Sequence, residues 1–373
     1  MKIINYFYHH SNLVTKEKLL LTLALTNSTI SQQELNKLLA DFEIEDEQLE
    51  VILLFAFLQK KQPHLIFPQE ITAQLQGVIR YFQYKNTGLL AAFRKIGSEL
   101  NKEKIGVLLM KGVVMKFLRP EEQRHMYDID FAVLPKDYDK AVEIARALDF
   151  KVSYIAEHST DFFWNDHGID IHRFLTKLGR DTSATDQFVW DRAQKVSAFG
   201  VDAFLPVTED IIFMILINAY GNIVAQESSP NRFFWIIDTA FLIREYPNLD
   251  WNIVLDNAQK TDQLYKIKIM LSVFDKIIPL QIPENLISSI SIIEKAERKH
   301  KNEIFTYSLK EIKKKRNEIW ESPKRNFTDV INAFKARIVY RSLKMVKVFS
   351  LLNFLFLDSA LNWVLSTQAQ ESK

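Results

Sequence analysis

The chain has 373 residues, enough for two or three structural units around one or two cores. Hydrophobic residues make up 47% and charged residues 25%, and the net charge of +2 gives no strong field that would favour nucleic acid or an anionic membrane. Because the chain has no cysteine, disulfides, thiolate zinc sites and cysteine nucleophiles are excluded, and any metal must be held by oxygen or imidazole ligands.

Residues 1–100 are predicted to form a helical region. Ser31, followed three residues later by Glu34, is typical of a capping box at the start of a helix. Helical apolar spacing continues over residues 49–58 and 71–100. No secretory signal precedes these helices and no window reaches 18 uninterrupted apolar residues, so we predict a cytoplasmic protein without a membrane-spanning helix.

The character of the sequence changes after Lys104, where short β-prone segments begin. Residues 105–110 are apolar throughout, as in a buried strand, and a helix is predicted to open after Lys111-Gly112. Residues 126–134 alternate like a strand and end at Pro135, and residues 136–148 have the apolar spacing of an amphipathic helix.

A strand over residues 152–155 and a hairpin over residues 162–172 complete the predicted sheet. The chain then becomes helical again, with helices predicted from Thr208 and over residues 233–244, 251–260 and 265–277. We therefore predict an α+β fold in which a small mixed-sheet core, residues 101–205, is flanked by helical regions over residues 1–100 and 206–373.

Two carboxylates two residues apart, Asp128 and Asp130, are the most informative feature of the predicted sheet. On a strand such side chains share a face, so both point the same way while Ile129 packs behind them. Like charges at this spacing repel unless a divalent cation binds them, and Mg²⁺ (or Mn²⁺) prefers carboxylate and phosphate oxygens. Asp170, on the hairpin, is placed to complete the metal site. A solvated acidic face is the alternative from these residues alone.

The order of these segments resembles the DNA polymerase beta-like nucleotidyltransferase superfamily. There too, a strand and a Gly-containing turn that opens a helix are followed by an Asp-x-Asp strand and a later strand with a third acid. The chain is more closely similar to the bacterial family of uncharacterised nucleotidyltransferases, over roughly residues 90–260. The matching motifs are Met110-Lys111-Gly112, Arg124 to Asp130, Asp170-Ile171-His172, Arg232 to Asp238 and Asp250-Trp251.

The resemblance implies a two-metal enzyme that moves a nucleoside monophosphate from a nucleoside triphosphate, such as ATP, to an acceptor hydroxyl. Asp128 and Asp130 would hold the ion that binds the nucleotide phosphates. Asp130 and Asp170 would hold the ion that activates the acceptor hydroxyl. All three acids are therefore expected to be both metal ligands and catalytic residues.

Lys111, Gly112 and Arg124 are expected to bind the nucleotide. The backbone N–H groups after Gly112 would cradle phosphate oxygens, and Lys111 would add positive charge. Arg124 would neutralise the departing pyrophosphate, with an ordinary loop arginine as the alternative. His172 is interpreted either as a residue that orients one of the acids or as a packed surface histidine.

One position departs from the superfamily pattern, which has Gly-Gly or Gly-Ser where this chain has Gly112-Val113. Two alternatives to an active enzyme are open, and this departure is the argument for the first of them. The chain would be either a catalytically silent nucleotide-binding protein or a non-enzymatic, antitoxin-like interaction module whose acids form only a surface. Retention of all three acids favours the active enzyme.

The C-terminal part of the chain bears on partners. Residues 295–325 are basic but contain interspersed glutamates, which is typical of a solvated helix rather than a nucleic-acid-binding stripe. Residues 334–366 place a Phe- and Leu-rich run after basic residues, a pattern typical of a helix at a membrane surface, at a homodimer interface or in a core. The expected partners are a nucleoside triphosphate, an unidentified acceptor, and a membrane surface or second copy bound through residues 334–366.

Overall fold

The computed structural model describes residues 15–40, 49–121, 124–175, 183–225, 234–278, 282–283 and 286. The predictions for residues 295–325 and 334–366 lie outside these ranges, so the proposed contact of the C-terminal segment with a membrane or a second copy stays a prediction. Within the described part of the chain, no helix has the length and apolar character needed to cross a membrane.

In the described residues, four helices precede the first strand: α1 (Thr15–Leu25), α2 (Gln32–Leu39), α3 (Leu49–Lys61) and α4 (Gln69–Lys102). The capping box predicted for α2 is confirmed, because the Ser31 hydroxyl accepts a hydrogen bond from the Glu34 backbone N–H and the Glu34 carboxylate accepts one from the Ser31 backbone N–H. Helix α4, 34 residues long, lies against the sheet and contacts three of its strands.

A mixed seven-stranded sheet forms the centre of the fold, which confirms the predicted α+β class. In chain order its elements are β1 (Leu108–Leu109), α5 (Lys111–Leu118), β2 (Asp128–Ala132), α6 (Tyr138–Ala147), β3 (Lys151–Ile155), β4 (Ser159–Trp164), β5 (His167–His172), α7 (Ser183–Arg192), β6 (Gln194–Ala198) and β7 (Val201–Leu205). The strand order is β3-β4-β5-β2-β1-β7-β6. The β2–β5 and β1–β7 pairs are parallel, and the other pairs are antiparallel.

After the sheet, the part of the chain that the structure describes contains four further helices: α8 (Thr208–Ala225), α9 (Phe234–Glu245), α10 (Trp251–Lys260) and α11 (Leu264–Ile277). Their bounds agree with the sequence prediction to within a residue or two at the described ends. A polar network joins α8 and α10 to α7, because the Arg192 guanidinium and the Asn257 amide both donate hydrogen bonds to the buried Asp210 carboxylate. The network satisfies a charge that would be costly to bury alone.

The sheet differs from the prediction in two respects. The apolar run over residues 105–110 contributes only the two residues of β1, because Met110 already begins the turn into α5. The hairpin of β6 and β7 was not predicted. Its turn, Phe199-Gly200, has φ values of 55° and 84°, the left-handed conformation that two-residue hairpin turns require. The glycine between two alternating segments was the available signal.

His125 lies on the buried side of the segment before β2. Its ring stacks on Phe82 of α4, with 4.6 Å between ring centroids, and meets Tyr127 edge-on at 4.4 Å. Burial, together with the positive charges of Arg124 and Lys85, lowers the pKa of His125 to about 4. The imidazole is therefore neutral in the folded protein at pH 7, and it packs there as an aromatic ring.

The fold is expected to lose stability as the pH falls from 6.5, the ordinary pKa of His125, to about 4, its pKa in the folded protein. In this window the unfolded chain binds the proton more tightly than the folded one, so the contribution is complete above pH 6.5 and lost by pH 4. It amounts to about 3 kcal/mol. Urea denaturation across this window should show that the free energy of unfolding depends less on pH in His125→Phe, which keeps the ring packing. The exposed His64→Gln should show the same pH dependence as the wild type. A His125→Phe protein that keeps the wild-type slope contradicts this assignment.

Candidate active site

Strand register brings three carboxylates into one row across the sheet. The parallel pairing of β2 with β5 sets Asp130 opposite Asp170, and the antiparallel pairing of β4 with β5 sets Asp161 opposite Asp170. Residues opposite one another on neighbouring strands share a face. Asp128, two residues before Asp130 on β2, lies on that face as well, opposite Gly168.

The other face of the same strands is apolar and covered. It carries Ile129, Phe131, Phe162, Ile169 and Ile171, all of which are buried. Helices α4 and α6 pack here, and the Phe93 ring of α4 meets the Phe131 ring edge-on at 5.7 Å between centroids. The alternation of the sequence therefore places the acids on the face opposite to these helices.

Asp130 is the centre of the cluster. Its carboxylate is buried, and one oxygen, Oδ1, accepts hydrogen bonds from Lys111 Nζ and from His172 Nε2, the latter at 2.9 Å. His172 Nε2 also lies 2.9 Å from Asp170 Oδ2 and 3.5 Å from Lys111 Nζ. His172 is only 2% exposed, so its interpretation as a surface histidine is wrong; it joins two of the acids.

The two acids that contact His172 are held in the charged form. Burial alone would raise the pKa of Asp130 and of Asp170, but Lys111 and His172 lower both below the ordinary value. Burial and Lys111 would lower the pKa of His172, yet its hydrogen bonds with Asp130 and Asp170 raise it. Burial likewise opposes the charge of Lys111, and the surrounding acids nevertheless raise its pKa. Lys111 and the hydrogen bonds from His172 thus stabilise Asp130 and Asp170 as carboxylates.

The outer two acids behave differently. Burial and a hydrogen bond with Asp170 raise the pKa of Asp161 to about 7. Loss of water around its carboxyl group and the charge of Asp130 raise the pKa of Asp128 to about 7 as well. Because solvent reaches the start of β2, the charge of Asp130 is the more important cause for Asp128. A cation bound nearby would favour the ionised form of both carboxyls and lower their pKa values.

Asp130, Asp170 and His172 fit a divalent cation. Each offers one ligand atom, and these atoms lie within 4.8 Å of one another. The buried Oδ1 of Asp170 makes no hydrogen bond to any residue that the structure describes. Carboxylates suit Mg²⁺ and Mn²⁺, and imidazole suits the transition metals. Asp128, which the sequence predicts to be a metal ligand, is not one of these three residues, and its role stays a prediction.

Lys111 and Gly112 open helix α5 beside this cluster. Lys111 has a φ of 46°, a conformation uncommon for a residue with a side chain. A Cβ on Gly112 would lie 2.6 Å from Arg124 Nη1, so a larger residue here would force the guanidinium to move. Val113 is completely buried, which shows that the residue in place of the superfamily's small one packs in the core. Phosphate binding by Lys111 and Gly112 stays a prediction.

Arg124 has a protein partner that the sequence did not reveal. Its guanidinium donates three hydrogen bonds to Asp238 of α9, at 2.9 to 3.1 Å, and stacks over the Phe234 ring. Asn86 of α4 bonds to the Arg124 carbonyl and to the Met126 N–H on either side of His125. The expected contact of Arg124 with pyrophosphate is untested; its observed contact is structural. Asp250, which belongs to another of the matching motifs, caps the N-terminus of α10 by accepting a hydrogen bond from the Asn252 N–H.

Asp161 is the site residue that sequence reasoning missed. It directly precedes Phe162, the first residue of the predicted hairpin. In the structure β4 begins at Ser159, and the register then places Asp161 beside Asp170. The available signal was its position directly before Phe162, because neighbouring residues on a strand lie on opposite faces.

Comparison with known proteins gives one family match. Residues 47–273 match the family model described as an uncharacterised nucleotidyltransferase. No curated protein matches the chain. The solved structures that are similar include the following two. The antibiotic-resistance factor ANT(2'')-Ia, in solution, is 14% identical, with 48% of this chain and 94% of that chain covered and a TM-score of 0.36. An antigenic nucleotidyltransferase-like protein from Paracoccidioides brasiliensis is 13% identical, with 50% and 92% covered and a TM-score of 0.31.

Proposed function

We propose that this chain, which belongs to the uncharacterised nucleotidyltransferase family, transfers a nucleoside monophosphate from a nucleoside triphosphate to an acceptor hydroxyl in a reaction that needs Mg²⁺ or Mn²⁺. The observation that carries the proposal is the parallel register of β2 and β5, which sets Asp130 beside Asp170 with Asp128 on the same face. The arrangement supports the wider resemblance to polymerase beta-like nucleotidyltransferases, which we propose as well.

The residues divide the work as follows. Asp128, Asp130, Asp170 and His172 would hold divalent cations, which when bound polarise the phosphate and lower the pKa of the acceptor hydroxyl. Lys111 and the first N–H groups of α5 would bind the triphosphate, since a helix N-terminus favours anions. Met110 makes no side-chain cap at this helix start, so its own side chain does not occupy those N–H groups.

The acceptor is proposed to approach from the opposite side of β2, over β5 and β4. Helix α5 follows β1, which flanks β2 on one side, whereas Asp170 and Asp161 lie on the other. Asp161 would keep Asp170 oriented through their hydrogen bond. Beyond it, Phe163 and Tyr154 extend the same face and are 48% and 63% exposed. Gly168, between Asp128 and Phe163 in the row, leaves open backbone there.

Pyrophosphate release tests the activity directly. The protein should be incubated with each of the four ribonucleoside triphosphates, Mg²⁺ or Mn²⁺, and a panel of sugars, nucleosides, lipids and peptides that carry hydroxyl groups. Release should require the cation and disappear in Asp170→Asn. Calorimetry of the cation with a nonhydrolysable triphosphate separates the alternatives: binding without release indicates a catalytically silent protein, and the absence of any binding contradicts the proposal.

Once an acceptor is found, Phe163→Ser is expected to raise the KM for the acceptor by about tenfold, because an apolar contact worth about 1–2 kcal/mol would be lost. The KM for the triphosphate should stay as in the wild type. Tyr84→Ser is the control, since Tyr84 is likewise an exposed aromatic residue, at 73%, but lies on α4. If Phe163→Ser changes the KM for the acceptor no more than Tyr84→Ser does, the acceptor does not contact Phe163.

A further inference from the structure

Lys111 occupies an unusual position for a residue expected to bind phosphate. Its ammonium group is turned into the acidic cluster, where it contacts Asp130 Oδ1 and lies 3.5 Å from His172 Nε2. About a quarter of the side chain remains exposed, at 26%, so the group has a path back to solvent. The lysine therefore lies between the triphosphate side of the site and the atoms that fit a metal ion.

The backbone holds Lys111 in that position. Its φ of 46° is uncommon for a residue with a side chain, and such conformations persist where the surrounding structure requires them. The neighbouring Met110 N–H donates a hydrogen bond to the Asp130 carbonyl at 3.2 Å, which fixes the end of β1 beside the same aspartate. The start of α5 and Asp130 therefore form one rigid unit, and the flexible part is the lysine side chain.

The ammonium group and a divalent cation need the same atoms. Asp130, Asp170 and His172 offer ligand atoms within 4.8 Å of one another, and Lys111 Nζ contacts the first of these residues and approaches the third. Two cations that share one carboxylate oxygen at such distances repel strongly in a partly buried site. Either the lysine or the metal ion can neutralise Asp130, but both cannot do so through that oxygen.

We propose, on the basis of the function proposed above, that Lys111 and the divalent cation exclude each other at Asp130, so that metal binding moves the Lys111 ammonium to the triphosphate at the start of α5. The lysine thus neutralises the carboxylates until the metal binds and then supplies its charge to the nucleotide. Metal binding and nucleotide binding are coupled through one side chain, because the first event frees the group that the second uses.

The experiment measures Mn²⁺ affinity by electron paramagnetic resonance for the wild type, Lys111→Met and Lys140→Met at one pH. Lys140 pairs with Glu103 at the surface and is the matched control. Lys111→Met is expected to bind Mn²⁺ about tenfold more tightly than the wild type. At saturating Mn²⁺ it should bind a nonhydrolysable triphosphate about tenfold more weakly. Lys140→Met should match the wild type in both measurements.

The outcomes separate this inference from the proposed function. If the wild type binds Mn²⁺ and Asp130→Asn does not, but Lys111→Met binds it no more tightly than the wild type, the exclusion is wrong and the metal site stands. If no variant binds Mn²⁺, the proposed function fails together with it. Should Lys111→Met be poorly folded, Lys111→Gln and the rise in Tm on addition of Mn²⁺ give the same comparison, since a tighter ligand produces a larger rise.

Discussion

Asp130→Asn is expected to lower the rate of nucleotidyl transfer at least about 1000-fold, which corresponds to about 4 kcal/mol of lost transition-state stabilisation. Asp130 accepts hydrogen bonds from Lys111 and His172 and lies opposite Asp170, so it is the residue that every proposed cation shares. The amide keeps the size of the side chain but removes the charge. We expect the free energy of unfolding to change by less than about 2 kcal/mol, because Asp128 and Asp170 still compensate Lys111.

Single-turnover pyrophosphate release, with urea denaturation in parallel, checks this expectation. Asp139→Asn is the matched control, since Asp139 forms an exposed ion pair with Arg173 away from the acidic row. The control should keep wild-type turnover and stability. An Asp130→Asn protein with turnover close to the wild type would rule out the mechanism, and one that fails to fold would show that Asp130 is primarily a structural residue.

Asp238→Ala is expected to lower the free energy of unfolding by about 3–5 kcal/mol, because it leaves the Arg124 guanidinium buried without its carboxylate. The side chains of this pair are 15% and 5% exposed, and three hydrogen bonds join them. The pair connects the segment before β2 to α9, so its loss should also loosen the segment that positions Asp128. Urea denaturation measures the first effect, and hydrogen exchange of residues 124–128 the second.

A double variant distinguishes a buried unpaired charge from a general packing defect. Arg124→Met with Asp238→Leu removes both charges at similar volume and should recover most of the lost stability. Removal of the exposed Arg173–Asp139 pair should cost less than about 1 kcal/mol. If the double variant is as unstable as Asp238→Ala, the packing of α9 accounts for the loss and the ion pair does not.

Local features of the fold were predictable because they depend on neighbours in sequence. The capping box at Ser31, the helix over residues 251–260 and the alternation around Asp128 and Asp130 each follow from periods of a few residues. The face on which the acids lie was predictable for the same reason. Long-range pairing was not: alternation shows which side chains share a face of a strand, but it does not show which strand lies beside it.

The candidate site illustrates this limit. Asp170 was recognised as the third acid, yet only the register shows that it is opposite Asp130, and only the next pairing brings in Asp161. The partner of Asp238 was likewise hidden, since Arg124 is 114 positions away in the chain. The two interpretations of His172 could not be separated from the sequence, because nothing in Ile171-His172 indicates that two carboxylates meet its ring nitrogen.

The parallel pairing of β1 with β7 also determines when the sheet can be completed during synthesis of the chain. The acids, Lys111 and His172 all lie within residues 111–172, which leave the ribosome before β7. Until β7 is present, β1 has no partner on that side, and the hydrogen bond from the Phe204 N–H to the Val107 carbonyl cannot form. A nascent chain that ended at residue 175 would carry the whole charged cluster on a sheet with an open, apolar edge, which is prone to aggregation. A minimal fragment that contains the site must therefore extend at least to residue 205.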